Sequence, residues 1–267
     1  MYREFYGLTE KPFSKTPDPR YLFLSQGHRE ALARLQYAVE ERELALLTGH
    51  IGCGKTTISR ALMDAVGNDG CFCFIVNPRL SAVEFLRTVA RSLGIAEPAT
   101  AKDELLRQLT EVVYRLEGEK RCPVIIIDEA QLIPDQEMFD EIRLLTNFQL
   151  DDRNLMSVIL MGQPELREIL AEPAHEALRQ RIAMHYHLQP LTLEETMEYM
   201  DFRVEVAGGP PGLFSPDAIR RIFELSGGVP RKINILATNA LLVGFGKDSA
   251  WIDASLVEEL RDEASLY

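Results

Sequence analysis

A glycine-rich stretch that contains a lysine and two threonines carries the clearest chemistry in this sequence. Residues 49–56 read G-x-x-x-x-G-K-T, the spacing of a loop that cradles nucleotide phosphates. The glycines let the backbone curl so that its N–H groups point inward, and the helix that follows adds its positive dipole end. Lys55 is expected to reach the β- and γ-phosphates of a nucleotide, and Thr56 is expected to ligate Mg²⁺. The residues that the pattern assigns to nucleotide binding are Gly49, Gly52, Cys53, Gly54, Lys55, Thr56 and Thr57.

Two acidic residues follow a run of branched apolar residues. Positions 124–127 read Val-Ile-Ile-Ile, which is typical of a strand buried on both faces of a parallel sheet, and Asp128 and Glu129 come next. At the carboxyl edge of such a sheet both acids should lie beside the phosphate loop. Asp128 is suited to hold Mg²⁺, and Glu129 to polarise the attacking water as a general base. The alternative is a strand that merely ends in two solvated acids.

Another apolar strand ends in a polar residue. Residues 155–161 are nearly all apolar, and Gln163 follows after one glycine. At the same edge of the sheet, its amide can contact the γ-phosphate or the lytic water, which makes Gln163 a candidate catalytic sensor. An ordinary turn is the alternative.

The elements that must position these residues follow from hydrophobic patterning. Apolar runs predict strands at 44–47, 71–76, 123–127, 155–161 and 184–188, with segments of helical spacing between them. This order predicts an α/β fold, a parallel five-stranded sheet flanked by helices, over residues 25–190. After Pro190 the pattern is helical only, which predicts a small all-helical lid domain over 191–267. Residues 1–24, rich in aromatics and proline, are expected to form an arm packed on the core, and the alternative is that part of this arm walls the adenine pocket.

Composition limits the classes of partner. The 267 residues include 41 acids and 29 bases, a formal charge of −12, so the chain is a poor generic binder of polyanions and DNA binding is disfavoured. No run of 18 apolar residues occurs, so no membrane span is expected. The four cysteines lack the spacing of metal ligands, and Cys53 within the phosphate loop suits a reducing, cytoplasmic location.

The order of these motifs resembles that of the AAA+ ATPases, and several stretches resemble one branch, the ExeA/GspA family of secretion-associated ATPases with its MshM-like pilus members. The resemblance covers nearly the whole chain, and it implies a P-loop NTPase (AAA+) fold that binds ATP and Mg²⁺ and hydrolyses ATP. The matching stretches include F-Y-G-L at 5–8, K-P-F at 11–13, T-P-D-P at 16–19, D-E-A-Q at 128–131, G-Q-P-E-L at 162–166, L-R-Q-R-I at 178–182 and G-G-V-P-R at 227–231.

Further roles are implied by the resemblance. Arg231 looks like the sensor arginine that lid closure brings to the γ-phosphate and the bound nucleotide. Arg181 looks like the arginine finger that one subunit supplies in trans to its neighbour, with Arg179 as the alternative. Asn77, after the second strand, looks like the residue that holds the catalytic glutamate in an inactive pose. The implied partners are other copies of this chain in a homo-oligomer and a protein of a secretion or pilus machinery.

Competing hypotheses of function stay open. One is an oligomeric motor or switch that hydrolyses ATP for secretion or pilus assembly. Another is an ATP-dependent, DNA-associated regulator of transposition, because TnsC- and TniB-type ATPases are similar in their nucleotide core. The acidic balance argues against DNA binding, although the basic pairs at 220–221 and 231–232 could form a local patch. A third is a regulatory nucleotide-binding module with little turnover, against which Glu129 and the candidate finger argue.

Overall fold

Five strands form one parallel sheet within residues 2–14 and 19–261, the part of the chain that the computed structural model describes. They lie where the apolar runs predict them, and the predicted α/β class with its parallel sheet is confirmed. Their order across the sheet is β2-β3-β4-β1-β5. The strands are β1 (Leu44–Gly49), β2 (Gly70–Ile75), β3 (Cys122–Ile127), β4 (Ser157–Gly162) and β5 (Ile182–Leu188).

Strand register brings the three segments with candidate chemistry to one edge of the sheet. Thr48 on β1 pairs with Gly162 on β4, and Ile127 on β3 pairs with Leu160 on β4. Because all of these strands run parallel, the residues that follow β1, β3 and β4 lie at the same carboxyl edge. The phosphate loop, the Asp-Glu pair and Gln163 are the segments that follow.

Helices connect the strands and continue beyond them. Several begin at a side-chain cap: Ser81 and Thr192 each form a capping box with a glutamate three residues later. No helix among the described residues is both long and apolar enough to cross a bilayer. The helices are α1 (Tyr2–Phe5), α2 (Gln26–Glu40), α3 (Lys55–Val66), α4 (Ala82–Ser92), α5 (Lys102–Gly118), α6 (Gln136–Leu145), α7 (Glu165–Ala171), α8 (Glu176–Arg179), α9 (Leu193–Val206), α10 (Pro216–Ser226), α11 (Pro230–Gly246) and α12 (Ala254–Glu258).

One compact unit, the α/β unit, contains Gly27–Ile51 and Lys55–Leu188. Every residue of β1, β3 and β4 is buried, as expected for central strands covered on both faces. On one face the sheet packs against helix residues such as Phe85, Leu109 and Ile142, all fully buried. Full burial of one such side chain contributes about 1.5–3 kcal/mol. This rigid layer fixes where the loops at the carboxyl edge begin.

The other unit, the helical unit, contains the residues up to 26, Gly52–Gly54 and the residues from Gln189 on. The described part of the predicted arm belongs to this unit, and its residues Tyr6, Leu8, Phe13 and Tyr21 are buried in the unit's hydrophobic cluster. Parts of the predicted arm (residue 1 and residues 15–18) and of the predicted lid domain (residues 262–267) lie outside the described residues. So do the first three residues of the T-P-D-P stretch.

A buried arginine explains why the arm belongs to the helical unit. Arg203 on α9 is only 7% exposed, and its Nε donates to the Pro12 carbonyl at 2.5 Å. Its Nη1 donates to the Tyr199 hydroxyl at 2.9 Å, and its guanidinium lies 4.7 Å from the Tyr21 ring centre. A guanidinium has five donors and must find acceptors when buried, and the arm supplies a carbonyl and an aromatic face.

Candidate nucleotide site

The phosphate loop curls around its own lysine. Lys55 is the first residue of α3 and is only 6% exposed. Its Nζ donates to the carbonyl of Gly49 at 2.7 Å and to that of His50 at 3.3 Å. Gly52 and Gly54 have φ values of 86° and 101°, a left-handed region that glycine adopts without steric cost. The loop therefore has the backbone shape that the G-x-x-x-x-G-K-T pattern predicts.

The two predicted Mg²⁺ ligands are brought together. Thr56 Oγ1 donates to Asp128 Oδ2 at 3.2 Å, and the Glu129 N–H donates to Asp128 Oδ1 at 2.9 Å. Asp128 is 5% exposed, and this burial raises the pKa of its carboxyl, while the hydrogen bonds from Glu129 and Thr56 oppose the rise. A hydroxyl and a carboxylate are hard oxygen donors of the kind that Mg²⁺ prefers, so this pair fits the ion.

Glu129 lies in a strained turn directly after Asp128. Its φ of 51° and ψ of 39° are left-handed, a conformation that costs a residue other than glycine about 1–3 kcal/mol and persists only where the surroundings hold it. Its Oε2 accepts from Gln131 Nε2 at 2.5 Å and from Gln163 Nε2 at 3.1 Å. The carboxylate of the predicted general base is thus fixed against the end of β4.

Gln131 is a residue of this site that the sequence analysis did not single out. It lies in a short 3-10 helix, Ala130–Leu132, and its Oε1 accepts from the Gln163 backbone N–H at 3.1 Å. The available signal was its place in the D-E-A-Q stretch, two residues after Glu129. Spacing alone did not reveal it, because only the turn at Glu129 brings the two side chains together.

Asn77 makes a local contact after β2. It is exposed, two residues after β2, and its Oδ1 accepts from the Arg79 N–H at 3.2 Å in a local turn. In the part of the chain that the structure describes, it makes no hydrogen bond to Glu129. The role of Asn77 stays a prediction, and the amides against Glu129 belong to Gln131 and Gln163.

The two candidate finger arginines make different contacts. Arg181 lies between α8 and β5, and its Nη1 donates to Thr146 Oγ1 at 2.7 Å and to the Arg143 carbonyl at 3.2 Å. Arg179 is the last residue of α8, and its Nη1 donates to the Ala171 carbonyl at 2.9 Å. The two guanidinium groups therefore occupy separate positions, and one substitution at a time can distinguish them.

The remaining predicted residues lie on α11, in the phosphate loop and on α3. Arg231 is exposed in the first turn of α11, and its backbone N–H donates to the Gly52 carbonyl at 3.3 Å, with both residues in the helical unit. A Cβ on Gly52 would lie 2.6 Å from Arg231 Cβ, so this close approach requires glycine. Cys53 is fully buried, and Thr57 is exposed on α3. The predicted contacts of these side chains with nucleotide stay predictions.

The sequence of this chain matches a family of nucleotide-binding proteins. A family model described as an AAA domain matches residues 38–170. General secretion pathway protein A of Aeromonas hydrophila is 38% identical in an alignment 276 positions long, which covers 99% of this chain and 50% of that protein. This chain therefore spans about half the length of that relative.

Solved structures share the fold at low sequence identity. Cdc6p from Pyrobaculum aerophilum is similar with a TM-score of 0.69 and 18% identity, over 90% of this chain and 67% of that one. The ORC2 protein of Aeropyrum pernix, solved as ADPNP and ADP complexes, is similar with a TM-score of 0.68 and 18% identity, over 95% and 71%. These likenesses show a P-loop fold of the AAA+ type.

Proposed function

This chain is an ExeA/GspA-like AAA+ protein, and we propose that it binds ATP with Mg²⁺ and hydrolyses it as an oligomeric motor or switch of a secretion or pilus assembly system. The family supports a nucleotide-dependent role linked to secretion. The turnover, the assembly and the partner machinery are the parts that we propose. The proposed location is the cytoplasm, which supplies ATP and keeps the Cys53 thiol reduced.

One observation carries the proposal of hydrolysis. Glu129 directly follows the buried Asp128, and its carboxylate is fixed by hydrogen bonds from Gln131 and Gln163. A phosphate-binding module without turnover needs Lys55, Thr56 and an acid for the metal, but it does not need a second carboxylate that is held in place. An oriented carboxylate at this edge is suited to accept the proton of an attacking water.

The predicted site residues divide the proposed work between them. Lys55 and the loop N–H groups hold the phosphates, and Thr56 and Asp128 hold Mg²⁺, which neutralises phosphate charge when bound. Glu129 takes the proton of the water, and Gln163 senses the γ-phosphate. Arg181 of a neighbouring subunit offsets the negative charge that develops during phosphoryl transfer. Arg231 contacts the γ-phosphate and so couples nucleotide binding to the helical unit.

The test of hydrolysis is a comparison of Glu129→Gln with the wild-type protein. We expect phosphate release from ATP and Mg²⁺ by the wild type and a loss of about 100-fold or more in kcat for the variant, because general-base catalysis contributes about 10²–10⁴. ATP affinity should be retained. Glu137→Gln, which removes an exposed carboxylate in the first turn of α6, is the matched control. A Glu129→Gln protein with wild-type turnover would remove the general base from the proposal.

The DNA-associated alternative is weakened by ion pairs in the helical unit. Arg221, one member of the candidate basic patch, pairs with Glu224 at 2.7 Å and with Glu258 at 2.5 Å. These carboxylates offset its charge, and the chain as a whole is acidic. A DNA-binding assay titrated with salt, with and without ATP, separates the two hypotheses. ATP-dependent binding that weakens steeply with salt would favour the DNA-associated regulator.

A further inference from the structure

The Gln131 side chain forms a bridge between two strand ends. Its Nε2 donates to Glu129 Oε2, and its Oε1 accepts from the Gln163 backbone N–H just after β4. Both ends of the amide are therefore in use, and both contacts lie within the α/β unit. Gly162 makes the approach possible, because a Cβ at that position would lie 2.7 Å from Gln131 Oε1.

Gln163 contacts the same carboxylate in a different way. Its side-chain Nε2 donates to Glu129 Oε2 at 3.1 Å, longer than the 2.5 Å from Gln131. The proposed function gives the Gln163 side chain a second task, contact with the γ-phosphate or the lytic water. If the Gln163 amide contacts the γ-phosphate or the water, its hydrogen bond to the Glu129 carboxylate is lost. The hydrogen bond from Gln131 remains.

The geometry points to Gln131 as the positioning residue for the general base: it ties the Glu129 carboxylate to the backbone at the end of β4. This inference rests on the proposed ATP hydrolysis. The left-handed turn at Glu129 and the 3-10 helix that carries Gln131 are consecutive in the chain. One short segment therefore presents the carboxylate and also supplies the amide that fixes it.

The test uses Gln131→Met in the full chain, since methionine keeps the length of the side chain and removes both hydrogen bonds. We expect kcat to fall about tenfold or more, because small misplacements of a reacting group cost about that much or more. The KM for ATP and the Kd for a non-hydrolysable ATP analogue should stay within about twofold, which locates the defect after binding. Gln136→Met, at an exposed glutamine on α6, is the matched control and should keep wild-type kcat.

A double-mutant cycle distinguishes positioning from general damage. If Gln131 acts through Glu129, Gln131→Met should not lower the residual single-turnover rate further in the Glu129→Gln background. An equal loss in both backgrounds would overturn the inference, and so would a loss of ATP affinity as large as the loss of kcat. Thermal melting checks that each variant is folded.

A second variant keeps the test decisive if Gln131→Met does not fold. Gln131→Glu keeps the size and the acceptor for the Gln163 N–H, but it replaces the donor with a like charge beside Glu129. Its kcat should also fall about tenfold or more, and a wild-type kcat would overturn the inference. If the wild-type protein hydrolyses ATP and both variants have the same kcat as the wild type, this inference alone is overturned. Wild-type protein without turnover overturns the proposed function as well.

Discussion

Two halves of the candidate site are built by different means. In the phosphate half (Lys55, Thr56 and Asp128), Lys55 donates to carbonyls only five and six residues before it in the chain. In the water half (Glu129, Gln131 and Gln163), the Glu129 carboxylate accepts a hydrogen bond from the side-chain amide of Gln163, 34 residues later in the chain. Lys55 is held by its own loop, although the phosphate half also needs β3, whose end supplies the Asp128 partner of Thr56 72 residues away. The contact between Glu129 and Gln163 exists only once β3 and β4 are side by side.

This difference indicates which substitutions would disturb each half. The lysine of the phosphate half sits on backbone carbonyls, which no substitution elsewhere removes. The water half depends on two side-chain amides and on a strained residue, so a change of a single group shifts the carboxylate. Binding should therefore be hard to perturb from a distance, and turnover should be easy to perturb.

Lys55→Ala gives the largest expected effect and breaks the phosphate half. Each charge-assisted hydrogen bond contributes about 1.5–3 kcal/mol, so the loss of two to the phosphates corresponds to about 100- to 10,000-fold weaker ATP binding. Titration calorimetry with an ATP analogue measures it, and hydrolysis should disappear with binding. A Lys55→Ala protein that binds ATP as the wild type does would show that the loop N–H groups suffice.

Arg181→Ala tests whether a neighbouring subunit supplies an arginine finger to the site formed by the two halves. We expect kcat to fall about 1000-fold with ATP binding unchanged, since arginine fingers contribute about 10³–10⁵. Arg179→Ala is the matched control, because its guanidinium bonds to a different carbonyl and should leave kcat near wild type. A larger loss in Arg179→Ala would move the finger to that residue. Wild-type specific activity that does not rise with protein concentration would contradict a finger in trans.

Gly162→Ala gives the smallest expected effect and tests the water half from its supporting backbone. The new methyl group would lie 2.7 Å from Gln131 Oε1 and 2.8 Å from Leu166 Cδ2, so one of them must move. We expect a loss of about 1–3 kcal/mol in the free energy of unfolding, as for other overpacked sites, and a lower kcat with ATP affinity retained. Gly118→Ala, which meets nothing within 4 Å, is the control for both measurements. Equal kcat in the two variants would mean that the amide bridge tolerates displacement.

Much of the α/β unit could be predicted because its signals are local. The apolar runs give all five strands, and β5 alternates between exposed and more buried positions, as expected of a strand at the sheet edge. The partner of the arm could not be predicted, for a physical reason. Its aromatic residues show that it must be buried, but they do not show against what, and Arg203 lies 191 residues from the carbonyl it contacts.

By itself, the sequence determined the phosphate loop, the acid pair at the end of β3 and the parallel sheet that presents them. The conformational freedom of glycine, the chemistry of the side chains and the period of the apolar residues each act over a few residues. Their patterns can therefore be recognised in the sequence. Only the tertiary structure decided which amide faces Glu129. That choice depends on a left-handed turn and on the register of β3 against β4, and both arise from packing across the sheet.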